Sequence, residues 1–219
     1  MKHLIPRIAI FLLGVFLIAF GVAISVRADL GTAPIASLPA VLSMATPVTV
    51  GVYLMTLNLV FVACQAILLR RTFQAFQLIQ IPLAVAFGGF VDLCMYLTSW
   101  IQPASYLEQW GWLVLSVVVL AVGVYVEMQP RLTYLPGNGI VFVLYSVLQN
   151  IPYGTVKVLF DSILVASAAG VSLIVMGGFF GVREGTIVAA LSVGLVIRAL
   201  SMLHRRISRR VVSAEAASA

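Results

Sequence analysis

Apolar residues in this chain fall into long uninterrupted runs, and polar residues gather in the short stretches between them. A helix needs about 20 mostly apolar residues to cross the hydrocarbon core of a bilayer. Six runs qualify, at residues 5–26, 50–69, 73–100, 107–128, 154–176 and 184–203. The third is long and holds Pro82 and the Gly88-Gly89 pair, which predicts a kink or a tilt. Two further apolar stretches, 34–45 and 136–148, are too short to cross. Such lengths suit re-entrant or interfacial half-helices. The short alternating segments of a transmembrane β-barrel are absent. The pattern predicts an all-α polytopic membrane protein with six transmembrane helices and two short ones. Residues 1–203 would form one transmembrane domain, and 204–219 a basic, then disordered, cytoplasmic tail.

The runs also repeat. Phe20-Gly21-Val22 leads to Leu30-Gly31-Thr32-Ala33-Pro34, and Val122-Gly123-Val124 leads to Leu132-Thr133-Tyr134-Leu135-Pro136 at a constant offset of 102. Leu42 meets Leu144 at that offset. Gly51 matches Gly154 and Asn58 matches Asp161 at an offset of 103; Gly88 matches Gly194 and Asp92 faces Arg198 at 106. Each copy reads as long span, proline-started short helix, span, span, over about 5–101 and about 107–203. Three crossings per copy invert the second copy in the membrane. The first span has a counterpart in mid-chain, so it reads as part of the fold and not as a cleaved signal.

Composition agrees with the pattern. Of 219 residues, 62% are hydrophobic and 9% charged, too few charges to cover a water-facing surface. That excludes a soluble enzyme, a disordered chain and a nucleic-acid-binding domain. The net charge of +6 is topological. Lys2, Arg7, Arg70, Arg71, Arg131, Arg205, Arg206, Arg209 and Arg210 all fall on one side when six helices span. That side is the cytoplasm by the positive-inside rule, which puts both termini there. The two cysteines, Cys64 and Cys94, lie inside apolar runs and read as small core residues.

Charges within spans cost roughly 2.5–3.5 kcal/mol each to insert, so they tend to face partners or a polar cavity. Asp92, Lys157, Asp161 and Arg198 are such charges. Lys157 and Asp161 stand four apart on one helix, so they can meet. They form either a self-neutralised pair or a site, with Lys157 holding an anion or Asp161 taking a proton or cation. Asn58, the repeat mate of Asp161, would face the same cavity. Asp92 and Arg198 occupy matched places and could bridge the repeat interface, as clamp or gate. Gln77, Gly88 and Asp92 share a helix face with Gln80 close by, either a packing stripe or a polar one. Arg27, Asp29, Glu127 and Glu184 lie nearer span ends. Thr32 is a candidate N-cap before Pro34, and Pro136-Gly137-Asn138-Gly139 opens the other short helix. If these N-termini point inward, their N–H groups and dipoles can hold an anion; otherwise they lie at the interface. The chain shows no Walker loop, dinucleotide turn, Cys–His cluster, HExxH or nucleophile–base pair, so no cofactor, metal or catalysis is expected.

Three segments carry a family resemblance. Arg27-Ala28-Asp29-Leu30-Gly31-Thr32-Ala33-Pro34, Pro136-Gly137-Asn138-Gly139 and Gly181-Val182-Arg183-Glu184-Gly185-Thr186 resemble the YczE/YyaS/YitT-type bacterial integral membrane proteins. The family often carries Ser and Glu where Ala33 and Asn138 stand here. The resemblance spans about residues 5–203 and implies a bacterial cytoplasmic (inner) membrane location, with no established substrate. The leading expectation is a transporter or permease for a small polar solute, anions included. Arg27, Asp29, Thr32, Lys157, Asp161, Arg183 and Glu184 are its main site or gate candidates. The alternative is a non-transporting scaffold or a binding subunit of a larger complex. The expected partners are the bilayer and a small solute; a homo-oligomer or a membrane partner stays open, and nucleic acid is not expected.

Overall fold

A computed structural model describes residues 4–218, with side chains for 4–203. Eight helices follow in order: α1 Leu4–Ala28, α2 Pro34–Ala45, α3 Val50–Leu69, α4 Gln80–Leu97, α5 Tyr106–Met128, α6 Pro136–Val147, α7 Tyr153–Met176 and α8 Glu184–Ser218. Six spans are long and apolar enough to cross a membrane, and α2 and α6 are the short apolar helices between them. The chain is therefore a multi-pass membrane protein of all-α class.

The third span differs from its expectation. Two 3-10 turns, Arg70–Thr72 and Ala75–Ile79, precede α4, and the α-helix ends at Leu97. Pro82 falls in the first turn of α4, where a missing N–H costs no helical bond, so it starts the helix instead of kinking it. The tail 204–219, expected to be basic and then disordered, continues α8 to Ser218. Residues 204–218 contain no Gly or Pro and are rich in Ala, Arg and Ser, so nothing in them stops a helix already under way. Lys2 lies outside the described residues, as do the side chains of Arg205, Arg206, Arg209 and Arg210.

The two copies are related by an inversion. α1 and α5 cross antiparallel at the centre. A Cβ on Gly21 would strike Leu120, and a Cβ on its mate Gly123 would strike Ile18, the mate of Leu120. With little hydrophobic drive between helices in lipid, such close approach through small residues supplies the dispersion that holds them. Short helices are exchanged between copies: α2 packs on α7, and α6 on α3. The links into them are alike as well. Asp29 and Arg131 both take positive φ, at 56° and 51°. The N-cap residues Ala33 and Leu135 share φ near −56° and −55° with ψ 145°.

Candidate functional site

A cavity of about 250 Å³ lies where the copies meet. Both short helices begin at its wall, through Ala33 and Pro34 of α2 and through Leu135, Gly137 and Asn138 around the start of α6. Proline suits each first turn, because that position needs no N–H. Pro34, Ala36 and Ser37 are buried, as are Pro136, Gly137 and Gly139, while the far end of α6 is exposed and that of α2 half-buried, with Met44 exposed. The N-termini thus point inward, as re-entrant helices do, and do not lie flat as amphipathic caps. Neither N-cap residue supplies a side-chain cap of its own; the start of α6 is met instead by Asn58 and Glu127, and the positive end of α2 faces the cavity.

Lys157 and Asp161 line the same cavity from α7. The Lys157 ammonium donates to both carboxylate oxygens of Asp161, at 2.6 and 2.8 Å. Asn58 lines it from α3 and is buried. Its Oδ1 accepts from the Gly137 N–H at 3.2 Å, and its Nδ2 donates to the Leu54 carbonyl. The repeat mates Asn58 and Asp161 therefore share one chamber, but in different uses. Asn58 pins the start of α6, whereas Asp161 neutralises a lysine. Most of the remaining wall is apolar, with Ile18, Val22, Phe87, Leu120, Val193 and Ile197.

Two supports of α6 are not among the site candidates, although in the sequence Glu127 reads as lying near a span end and Gln80 as close to a stripe. Glu127 is fully buried on α5, and its Oε1 accepts from the Leu135 N–H at 2.8 Å. Its Oε2 has no hydrogen-bond partner among the described residues. Gln65 and Gln80 donate to one another at 3.0 and 3.3 Å, and Gln65 also donates to the Pro136 carbonyl. One signal for Glu127 existed, since a lone carboxylate stands eight residues ahead of Leu135 within an apolar run, where its repeat mate is Ser25. At the same end of the bundle, Arg7 holds the Pro130 carbonyl through Nε at 3.1 Å.

The other predicted residues lie elsewhere. Arg27, Asp29, Arg183 and Glu184 gather at the opposite end of the bundle, away from the cavity. Arg183 donates to the Asp29 carbonyl at 2.8 Å and pairs with Glu184 at 3.4 Å. Glu184 also accepts from Tyr106, and the Gly185 N–H reaches the Leu30 carbonyl. This lattice ties α1, α5 and α8 together. Arg27 turns instead to the Met95 carbonyl on α4 at 2.9 Å, and its Nε is buried without a partner among the described residues. Thr32 does not cap α2. Its hydroxyl meets the Ala33 carbonyl at 3.4 Å, and Ala33 holds the N-cap position.

The bridge between Asp92 and Arg198 does not form. Asp92 accepts from Thr49 Oγ1 at 2.7 Å and from the Gly51 N–H at 2.8 Å, so it caps α3 within its own copy. A carboxylate gains more on those helix-start donors than on a distant guanidinium. Arg198 is exposed on α8. The expected stripe does not form one face of α4: Gln77 lies in the preceding 3-10 turn and accepts from the Gln74 N–H, Gly88 packs against Gly51, Gln80 pairs with Gln65 and Asp92 caps α3. A shallower depression of about 300 Å³ borders Asp92, but that carboxylate is already engaged. Among the described residues, no group of three His, Cys, Asp or Glu converges. Cys94 is buried and Cys64 half-buried in two separate apolar clusters.

A family model described as a family of unknown function, DUF6198, matches residues 5–202. The chain belongs to that family. The match runs from the start of α1 into α8, so both copies of the repeat lie inside it. No curated protein and no solved structure matches the chain.

Proposed function

We propose that this protein is a permease that carries a small solute with a polar, anionic group through the cavity between its two inverted copies. One observation carries the reading: Lys157, Asp161 and the starts of both short helices converge on a single chamber. Inverted repeats with interrupted helices whose half-helix N-termini face the substrate are a recurrent transporter plan. In this reading Lys157 is the cation that exchanges Asp161 for solute, and the uncapped start of α2 adds positive potential. Asn58, Glu127 and the Gln65–Gln80 pair are positioning residues that fix α6. Arg27, Asp29, Arg183 and Glu184, with Thr32 nearby, form the latch at one end of the bundle. Catalysis has no part in it. The distribution of Arg7, Arg70, Arg71 and Arg131 supports cytoplasmic termini in a bacterial inner membrane, and kinship with the YczE/YyaS/YitT-type proteins belongs to the same proposal.

Uptake into proteoliposomes from a panel of labelled small anions and zwitterions tests it. Flux above empty liposomes is expected for at least one solute. The second reading, a scaffold or binding subunit, is favoured by the small burial of α7 and α8, the two least covered spans. Purification in mild detergent separates the two. A stoichiometric partner, together with no flux by the isolated chain, would establish the second reading and end the first.

A further inference from the structure

The two copies differ in one respect that bears on the solute. In the first copy α3 and α4 pack closely: a Cβ on Gly51 would strike the Gly88 carbonyl, and a Cβ on Gly88 would strike the Gly51 carbonyl. Their mates Gly154 and Gly194 have no neighbouring atom within 4 Å of that position. α7 and α8 are correspondingly not packed together as α3 and α4 are. The gap falls at the cavity. Val158 of α7 and Ala190 and Gly194 of α8 line the chamber and are also exposed on the molecular surface. Val158 lies five residues inside α7, and Ala190 and Gly194 lie six and ten inside α8. At 1.5 Å per residue this mouth sits within the apolar spans, where hydrocarbon and not bulk water is the solvent.

The lining fits that solvent. Beyond Lys157, Asp161, Asn58 and Asn138, every lining side chain is apolar or absent. Lys157 and Asp161 are paired, and the α6 start is already met by Glu127 and Asn58, which leaves the uncapped start of α2 as the positive end that faces the chamber. We infer that the cavity takes a single-chain anionic amphiphile, with a carboxylate head and an alkyl body, which enters from the bilayer between α7 and α8. The inference rests on the permease reading of the same chamber and names its substrate class. The head would sit on Lys157, in place of Asp161, and on the start of α2. The chain would lie along Val193, Gly194 and Ile197 toward the gap.

The test uses the full chain in lipid nanodiscs and a dodecanoate carrying a terminal diazirine. Adducts are expected on 158–161 and 190–197, with an excess of dodecanoate removing them and dodecylamine leaving them. Gly194→Trp, placed where a side chain meets open space, should cut labelling about tenfold, a change worth 1.4 kcal/mol, while the gel-filtration profile stays unchanged. Gly194→Leu provides a smaller plug should the tryptophan variant not fold. Adducts spread over all lipid-facing helices, insensitive to competitor and plug, would overturn the inference as general lipid contact. Exclusion of the probe by a copurified chain seated on α7 and α8 would overturn it as well. Butyrate displacing bound solute where dodecanoate neither labels nor competes would overturn the bilayer route alone and leave an anion permease standing. Specific labelling without flux of any solute would do the reverse, keeping the site and ending the permease.

Discussion

Glu127 keeps the first free N–H of the α6 link from being unpaired at a fully buried place. Glu127→Ala should cost about 1–3 kcal/mol, the penalty for a buried donor left without an acceptor. Glu127→Gln retains an acceptor oxygen and should lie much closer to wild type. Thermal unfolding in detergent checks the order, and equal losses in both variants would count against the hydrogen bond as the cause. Residue spacing made the Lys157–Asp161 pair legible, because four residues on a helix fix the facing. Asp92 and Arg198 show where spacing stops. Their matched positions give no information about which neighbour each one faces, and Asp92 is taken by Thr49 and Gly51 of its own copy. Glu127 was hard to read for a related reason, since an acid near a span end looks the same in sequence whether it meets water or a buried N–H.

Helices raise a contrast between glycines that look alike in sequence. Gly51 and Gly88 touch, whereas Gly154 and Gly194 face open space. Gly51→Leu or Gly88→Leu should therefore cost at least the roughly 1–3 kcal/mol of overpacking, because backbone is what each side chain would strike. Gly154→Leu and Gly194→Leu should be tolerated, and even favoured by helix propensity. Fluorescence-detected gel filtration of the four variants reads this directly, and four equal profiles would contradict the open gap. The long spans were legible from hydropathy because hydrocarbon demands an unbroken apolar run. Proline marked the starts of α2 and α6 for the reason that a first helical turn has no N–H to lose. Whether those starts faced inward was not legible, since burial of Pro34 and Pro136 depends on the other copy's α7 and α3. The continuation of α8 past 203 was missed because a charged, small-residue tail lacks the apolar face that signals a helix.

At the scale of the molecule, inversion of the repeat determines which loops share a side. Single cysteines at Thr72 and Gln149, in a background with Cys64→Ser and Cys94→Ser, should react with a membrane-impermeant maleimide only after cells are opened. A cysteine at Gly178 should react in intact cells. The reverse pattern would invert the topology, and a mixed pattern would break the six-span arrangement. The repeat was legible because its offsets of 102, 103 and 106 preserve the order of turn residues. Its asymmetry was not, since the glycines are conserved between copies while the packing around them differs. Transport on Lys157 through the chamber at the copy interface is measured most directly by uptake into proteoliposomes holding wild type or Lys157→Gln. Wild type should accumulate an anionic solute above empty liposomes. Lys157→Gln, folded to the same gel-filtration profile, should lose about tenfold, within the range for a hydrogen bond to a charged group. Equal flux by the two proteins, or none by wild type over the whole panel, would contradict the account.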